Sequence, residues 1–187
     1  MRTKKLNLLP LKALNVDDFF WNKYTRLVTK EIIPYQWKAL NDEVADAEPS
    51  YCIDNFKVAA GLKEGTFHGW VFQDTDLAKW LEAVAYSLSY EPNEALEKLA
   101  DDAIDLVGKA QQENGYINTH FSILHPGKQY CNLKEGHELY TTGHFIEAAI
   151  AYYEVTGKDK FLNIMKKNAD LILSLIHISE PTRPRLI

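Results

Sequence analysis

Apolar residues recur along this chain with a helical period, and no stretch of four to eight residues alternates as a strand would. The clearest case starts at Thr75. Leu77, Trp80, Leu81, Val84, Ala85 and Leu88 follow the i, i+3, i+4, i+7 template, Asp74 or Thr75 can cap the start, and Pro92 stops it. The spacing predicts a second helix over 94–112, with Leu96, Leu99, Ala100, Ala103, Ile104, Val107 and Ala110 inward and Asn114-Gly115 turning the chain. A third spans 138–155 and is capped by Thr156-Gly157. A fourth spans 158–173, with Phe161, Ile164, Met165, Ala169 and Ile172 on one stripe. Towards the amino terminus, residues 17–31 carry a helical pattern closed by Pro34, and 35–44 resume a short helix. Residues 54–60 form another short piece that ends at Gly61. The predicted class is all-α.

The joins alternate in length. A few residues separate helix 75–90 from helix 94–112, about twenty separate that pair from helix 138–155, and the next join is tight again. Short joins make antiparallel hairpins, and the long loops then gather at one end of the assembly. Such loops are usually functional, and these hold His68, Trp70, Tyr116, His120 and His125, a composition unlike disorder. Hairpins separated by long loops suit an α/α toroid with a cleft at one rim, or a helical solenoid with a binding face. The absence of a close internal repeat disfavours the solenoid.

Where the longest loop ends, Gly136 to Glu147 puts polar rings at a helix entrance. His137, Tyr140, Thr141 and His144 fall on one face, and Leu139, Thr142, Ile146, Ala149, Ile150 and Tyr153 form a neighbouring apolar stripe. Imidazole, phenol and hydroxyl groups in a concave site can hydrogen-bond a hydroxyl-rich ligand. The plainer alternative is a partly buried helix with internally satisfied histidines. A zinc-protease helix is excluded, since His144 lies seven residues after His137, about 10 Å along the axis, too far for one zinc ion.

Composition adds bounds. The 187 residues suffice for one domain with a core, and 46% hydrophobic with 25% charged content is that of a globular protein. A net charge of −5 without a Lys/Arg cluster argues against nucleic acid as partner. Two cysteines, Cys52 and Cys131, make neither a disulfide framework nor a Cys-x-x-Cys pair, and they read as inert thiols in a reducing compartment. Asn7, Pro10 and Lys12 interrupt the apolar run a signal peptide needs, and no window reaches 18 apolar residues. The expected location is cytoplasmic, without a membrane contact. Residues 174–187 lose the period and carry Pro181 and Pro184. They look like translated adapter or vector sequence joined to a truncated gene, which would leave residues 1–173 as the native part.

Several motifs, in order over residues 19–173, carry a resemblance. Ile32-Ile33-Pro34-Tyr35-Gln36-Trp37 is followed by Asn41-Asp42-Glu43 and by Asn55-Phe56-Lys57-Val58-Ala59-Ala60-Gly61. Then come Phe67-His68-Gly69-Trp70-Val71-Phe72-Gln73-Asp74-Thr75-Asp76 with Lys79-Trp80-Leu81-Glu82, and Ala110-Gln111-Gln112-Glu113-Asn114-Gly115-Tyr116. The set ends with His137-Glu138-Leu139-Tyr140 and Gly143-His144-Phe145-Ile146-Glu147-Ala148-Ala149. Together they resemble glycoside hydrolase family 127, the β-L-arabinofuranosidases. The resemblance implies an (α/α)6 barrel that releases terminal β-L-arabinofuranosyl units with retention of configuration. It also implies a zinc-bound cysteine thiolate as nucleophile, a glutamate as acid/base, and further Cys and Glu residues on the zinc. Those residues belong to the later part of the family's barrel, and neither Cys52 nor Cys131 stands in the family's cysteine motif. No catalytic residue and no metal ligand is therefore assigned in this chain. What carries over is His137, matching a histidine that contacts the sugar, with Tyr140, His144, Asp74 and Gln73 as further substrate-binding candidates. Asp74 can equally serve as a helix cap, and Trp70 and Tyr116 can stack on a sugar or pack beneath the loops.

A full barrel needs twelve helices and the pattern supplies about seven, so the expectation is an amino-terminal part of the catalytic domain, an incomplete toroid inactive alone. Its unpartnered apolar faces predict poor solubility, and the resemblance leaves room for a homodimer at full length. Two rivals stand. Another α/α-toroid carbohydrate enzyme acting on uronates would want cations at the cleft, and the loops offer only Lys63, Lys128 and Lys134. A non-catalytic helical-repeat scaffold would bind without reaction.

Overall fold

The computed structural model describes residues 9–179, the side chains of 176–179 excepted; residues 180–187 of the tail lie outside the described residues. All regular structure among the described residues is helical. After a 3-10 turn at Leu11–Ala13 come α1 (Phe19–Leu27), a π-helical turn (Val28–Ile32), α2 (Ile33–Leu40), α3 (Cys52–Ala59), α4 (Asp74–Tyr90) and α5 (Glu94–Ala110). Then follow α6 (Thr119–Leu124), α7 (Glu138–Thr156) and α8 (Lys160–Ser179).

Two hairpins, α4–α5 and α7–α8, form the body. Helix α4 lies along α7, with α5 and α8 behind them and α2 and α3 against α4 and α5. The pairing of Lys79 with Tyr140 and the grouping of Tyr86 with Ile150 and Glu154 show that α4 and α7 run parallel. Close approach of the two helices is possible because the residues between them are small. Ala78, Ala85 and Ala148 are fully buried, and Leu77, Leu81, Val84 and Phe145 fill the space around them. Phe145 stands edge-on between Phe56 and Phe161, tying α3 and α8 to this contact.

Helices α4 and α5 bury the residues their periods predict, although Leu96 and Leu99 are only partly covered. Asn93 caps α5 by accepting the Leu96 N–H. Gly61, at φ +68, closes α3 as predicted: its N–H donates to Val58 O and that of Leu62 to Lys57 O. Gly157, at φ +75, closes α7, its N–H donating to Tyr153 O.

Three predicted elements differ. Pro34 does not end the first helix. The chain stays helical from Phe19 to Leu40 because the turn before Pro34 widens, so that Ile33 N–H bonds Val28 O, five residues back. This π turn is pinned to α4 by Ser87 Oγ donating to Thr29 Oγ1, and Trp80 Nε1 donates to Ile33 O. The core stripe of α7 is rotated from the predicted one. Thr141, Thr142, Phe145, Ala148, Ala149, Tyr152 and Val155 are buried, while Leu139, Ile150 and Tyr153 remain exposed. Finally, α8 continues through Ser179, past the predicted end at Leu173, since no helix breaker occurs before Pro181.

Replacing Phe145 with Ala should lower the unfolding free energy by about 3–5 kcal/mol. Replacing the almost fully exposed Phe19 should change it by less than about 0.5 kcal/mol. Urea denaturation of the two variants measures both.

Candidate functional site

Because α4 and α7 are parallel neighbours, their amino termini open at the same end, and the two long connections before them, residues 60–73 and 111–137, meet there. The second connection is tied down by two buried carboxylates, each on the first residue of a helix, and the first by Asn55, which bonds the His68 backbone through both side-chain atoms. Asp74 accepts from Thr119 N–H at 2.7 Å and from Thr119 Oγ1 at 2.5 Å, which fastens the start of α6 to the start of α4. Glu138 accepts from Tyr116 Oη–H and from the Tyr130 N–H, 2.9 Å from both oxygens. Burial, then Glu138, pushes the Tyr116 phenol far up, so it stays a donor. Burial likewise raises Tyr130 to about 12.

On this frame the accessible groups of the rim are His137, Tyr140, His144 and Lys79. His137 precedes α7 in the left-handed region at φ +53, with Nδ1 2.8 Å from Glu135 O. Its ring lies 5.3 Å from Phe72 and 6.0 Å from Tyr140. Tyr140 meets His144 edge-on at 4.6 Å and accepts a hydrogen bond from Lys79 Nζ at 3.1 Å. His144 Nδ1 lies 3.3 Å from Glu147 Oε2. Trp70, 70% exposed, stacks parallel to Phe72 beside this group. A cavity of about 450 Å³ adjoins Lys79 between α2 and α4, and Ser50, Gln73 and Asp76 form its polar wall.

Of the five candidates read from sequence, the structure brings His137, Tyr140 and His144 together on one accessible face of α7. The other two lie in the supporting layer. Gln73 is nearly buried, with Nε2 2.7 Å from Asp76 Oδ2 and Oε1 accepting from Trp70 N–H. Asp74 is 1% exposed and both its oxygens are engaged by Thr119, so it neither caps its own helix through the side chain nor presents an oxygen at the surface. Thr141, placed by period beside His137, is fully buried. Tyr116 is packed beneath the loops, and His120 sits edge-on to Phe67. Lys79 is the residue that sequence reasoning missed. Its signal was the i, i+3 series Asp76, Lys79, Glu82 on the exposed side of α4.

A thiolate-bound zinc does not fit the described residues. Cys52 is fully buried and donates to Gln73 O at 3.5 Å, and burial, then Asp74 and Asp76, hold its thiol well above the ordinary range. Cys131 is exposed. Among the described residues one trio of ligand types gathers, Glu82, His144 and Glu147, with ligand atoms within 4.8 Å of one another, and it contains no cysteine. Among the described residues no helix is long and apolar enough to cross a membrane.

Residues 13–182 match the sequence profile of the β-L-arabinofuranosidase GH127 catalytic domain. The chain belongs to the GH127 family. It is 39% identical to the non-reducing end β-L-arabinofuranosidase of Bifidobacterium longum subsp. longum, over 82% of this chain and 26% of that protein. Among solved structures it is similar to Ara127N-Se, a GH127 β-L-arabinofuranosidase from Geobacillus stearothermophilus T6. The TM-score is 0.85 at 57% identity, over 86% of this chain and 25% of that one. The GH127 β-arabinofuranosidase BT3674 gives a TM-score of 0.76 at 30% identity, over 94% and 27%. The chain thus spans about a quarter of the length of these relatives. Its paired hairpins are a sector of the family's α/α toroid, and the rim lies at the loop-rich end of that sector.

Burial raises the Asp74 carboxyl from 3.8 to about 6 against the pull of its two Thr119 bonds. With the folded value above the unfolded one, the folded chain holds the extra proton between these values. Asp74's contribution to stability is therefore full below about pH 4 and lost as the pH rises through 6. Asp74→Asn should remove this downward component, which urea midpoints of both proteins across pH 4–7 will measure.

Proposed function

We propose that this rim is part of the sugar-binding site of a retaining glycoside hydrolase acting on terminal β-L-arabinofuranosyl units. The observation that carries the reading is the convergence of His137, Tyr140 and Lys79 where two parallel helices open. An imidazole, a phenol and an ammonium group side by side offer acceptor and donors to a polyol, and the exposed indole of Trp70 beside Phe72 offers a flat surface to its C–H face. The names of the relatives, which are β-L-arabinofuranosidases, support the choice of sugar. His137, Tyr140 and His144 take the contacting role, while Asp74 and Gln73 hold the loops from which the contacts are made.

In this reading the thiolate nucleophile, the acid/base glutamate and the zinc ligands belong to the remainder of a longer protein, and residues 1–173 are the amino-terminal part of its catalytic domain. Residues 174–187 are vector-derived, and a cytoplasmic location and a homodimer at full length complete the picture. Sequence of the source gene beyond Leu173 tests the division of the chain.

For the full-length enzyme, His137→Ala should lower kcat/KM for a β-L-arabinofuranoside about 100-fold with the helical signal unchanged, the size expected for a misplaced contact. The 187-residue chain should bind methyl β-L-arabinofuranoside without releasing arabinose. An unchanged kcat/KM in the variant, or arabinose release by the isolated chain, would overturn the reading.

A further inference from the structure

Resting on that reading, we infer that Glu138 is the positioning residue of the rim. Its buried carboxylate holds the loop before α7 so that His137 is fixed as the Nδ1–H tautomer, leaving Nε2 as an acceptor for a ligand hydroxyl.

The tautomer follows from the partner. Nδ1 of His137 lies 2.8 Å from the carbonyl oxygen of Glu135, and a carbonyl can only accept, so the proton is on Nδ1. In the neutral ring Nε2 then carries the lone pair. This is the less common tautomer of a histidine in water, so the protein has to impose it. Imposing it requires the Glu135 carbonyl and the His137 ring to be held face to face across a single residue, Gly136.

That geometry traces to Glu138. Its carboxylate is 1% exposed, and the partners that hold it, the Tyr116 hydroxyl and the Tyr130 N–H, are neutral. Tyr130 and His137 bound the loop, and both adopt the left-handed region, at φ +58 and +53, which side chains other than glycine rarely occupy. The carboxylate holds Tyr130 through its N–H, and His137 is the residue that precedes Glu138 in the chain. Between them the chain folds back on itself. Gly136 N–H donates to Asn132 O at 2.9 Å, and Glu135 N–H to Asn132 Oδ1 at 3.1 Å. The loop is packed against the carboxylate so closely that a Cβ on Gly136 would come within 3.2 Å of Glu138 Oε2 and 2.7 Å of Asn132 O. Two strained residues persist because a surrounding structure over-determines them, and such strain collects where a side chain must be aimed. Here the over-determination has two centres: the Glu138 carboxylate, where the Tyr116 hydroxyl and the Tyr130 N–H meet, and Asn132, which accepts from Gly136 and Glu135 N–H.

The test uses the 187-residue chain labelled with ¹⁵N at histidine. Two-bond ¹H–¹⁵N correlation of the imidazole reads the tautomer directly, and a titration with methyl β-L-arabinofuranoside reads binding. The native chain should show His137 with the proton on Nδ1. Glu138→Gln, which keeps the shape but replaces one of the two acceptor oxygens by an NH2 donor against the Tyr130 N–H, should move the tautomer ratio towards Nε2–H by about tenfold, and weaken sugar binding by a similar factor, as loss of an orienting partner does elsewhere. Retention of the Nδ1–H tautomer in a folded Glu138→Gln chain overturns the proposal, because a merely structural carboxylate would lower stability without changing the ring. Should Glu138→Gln lose its helical signal, Tyr116→Phe decides on the same readout. It removes one hydroxyl and keeps the ring, and an unchanged tautomer there is equally fatal. A tautomer shift with unaltered sugar binding supports the positioning role and instead overturns His137 as a sugar contact.

Discussion

The side-by-side packing of α4 and α7 is the constraint on which the rest depends. Buried alanines at the contact let the two backbones approach, and the parallel direction of the pair then fixes everything at its open end. Two long connections that are remote in sequence are delivered to one place. The small size of the contact residues is as important as their apolarity, since a longer side chain at Ala78 or Ala148 would push the helices apart and separate Lys79 from Tyr140.

The open end is held by two buried acids that act across the structure. Asp74, at the start of one helix, secures the connection that leads to the other. Glu138, at the start of that other helix, gathers Tyr116 and Tyr130 from two parts of the same connection. The 111–137 connection is thereby fastened from both helices, by Asp74 on α4 and by Glu138 on α7. The accessible side chains sit on this bracing and contribute little to it: His137, Tyr140 and Lys79 contact one another through ring edges and a single hydrogen bond.

The hairpins were legible in the sequence because α4 and α5 have clean amphipathic periods with Pro92 and Asn93 between them. Helix α7 was legible as a helix but not in its rotation. It is apolar almost all round, from Leu139 through Tyr153 to Val155, and a period cannot choose among faces that all qualify. The π turn before Pro34 leaves no local trace, since widening is an answer to packing against Ser87 and Trp80, both far along the chain. The short α6 was hidden for a similar reason: six residues are too few for a period, and only Asn118 as a cap marks it. At the rim, residue type identified His137, Tyr140 and His144. It could not separate them from Gln73 and Asp74, because whether a polar side chain faces solvent or Thr119 is decided by a partner 45 positions away. Lys79 reaches the rim from the second turn of a helix, so the composition of the loops does not reveal it.

Two carboxylates lie deep in this small body, and among the described residues no lysine or arginine pairs with either, an arrangement that desolvation disfavours. Their addresses explain the tolerance. Asp74 and Glu138 each occupy the first residue of a long helix, where the aligned peptide dipoles present roughly half a positive charge. Helices of 17 and 19 residues, set parallel, bring both of these fields to the same mouth. The backbone itself therefore acts as the counter-ion of the opening, which leaves the ammonium of Lys79 at the surface against Tyr140.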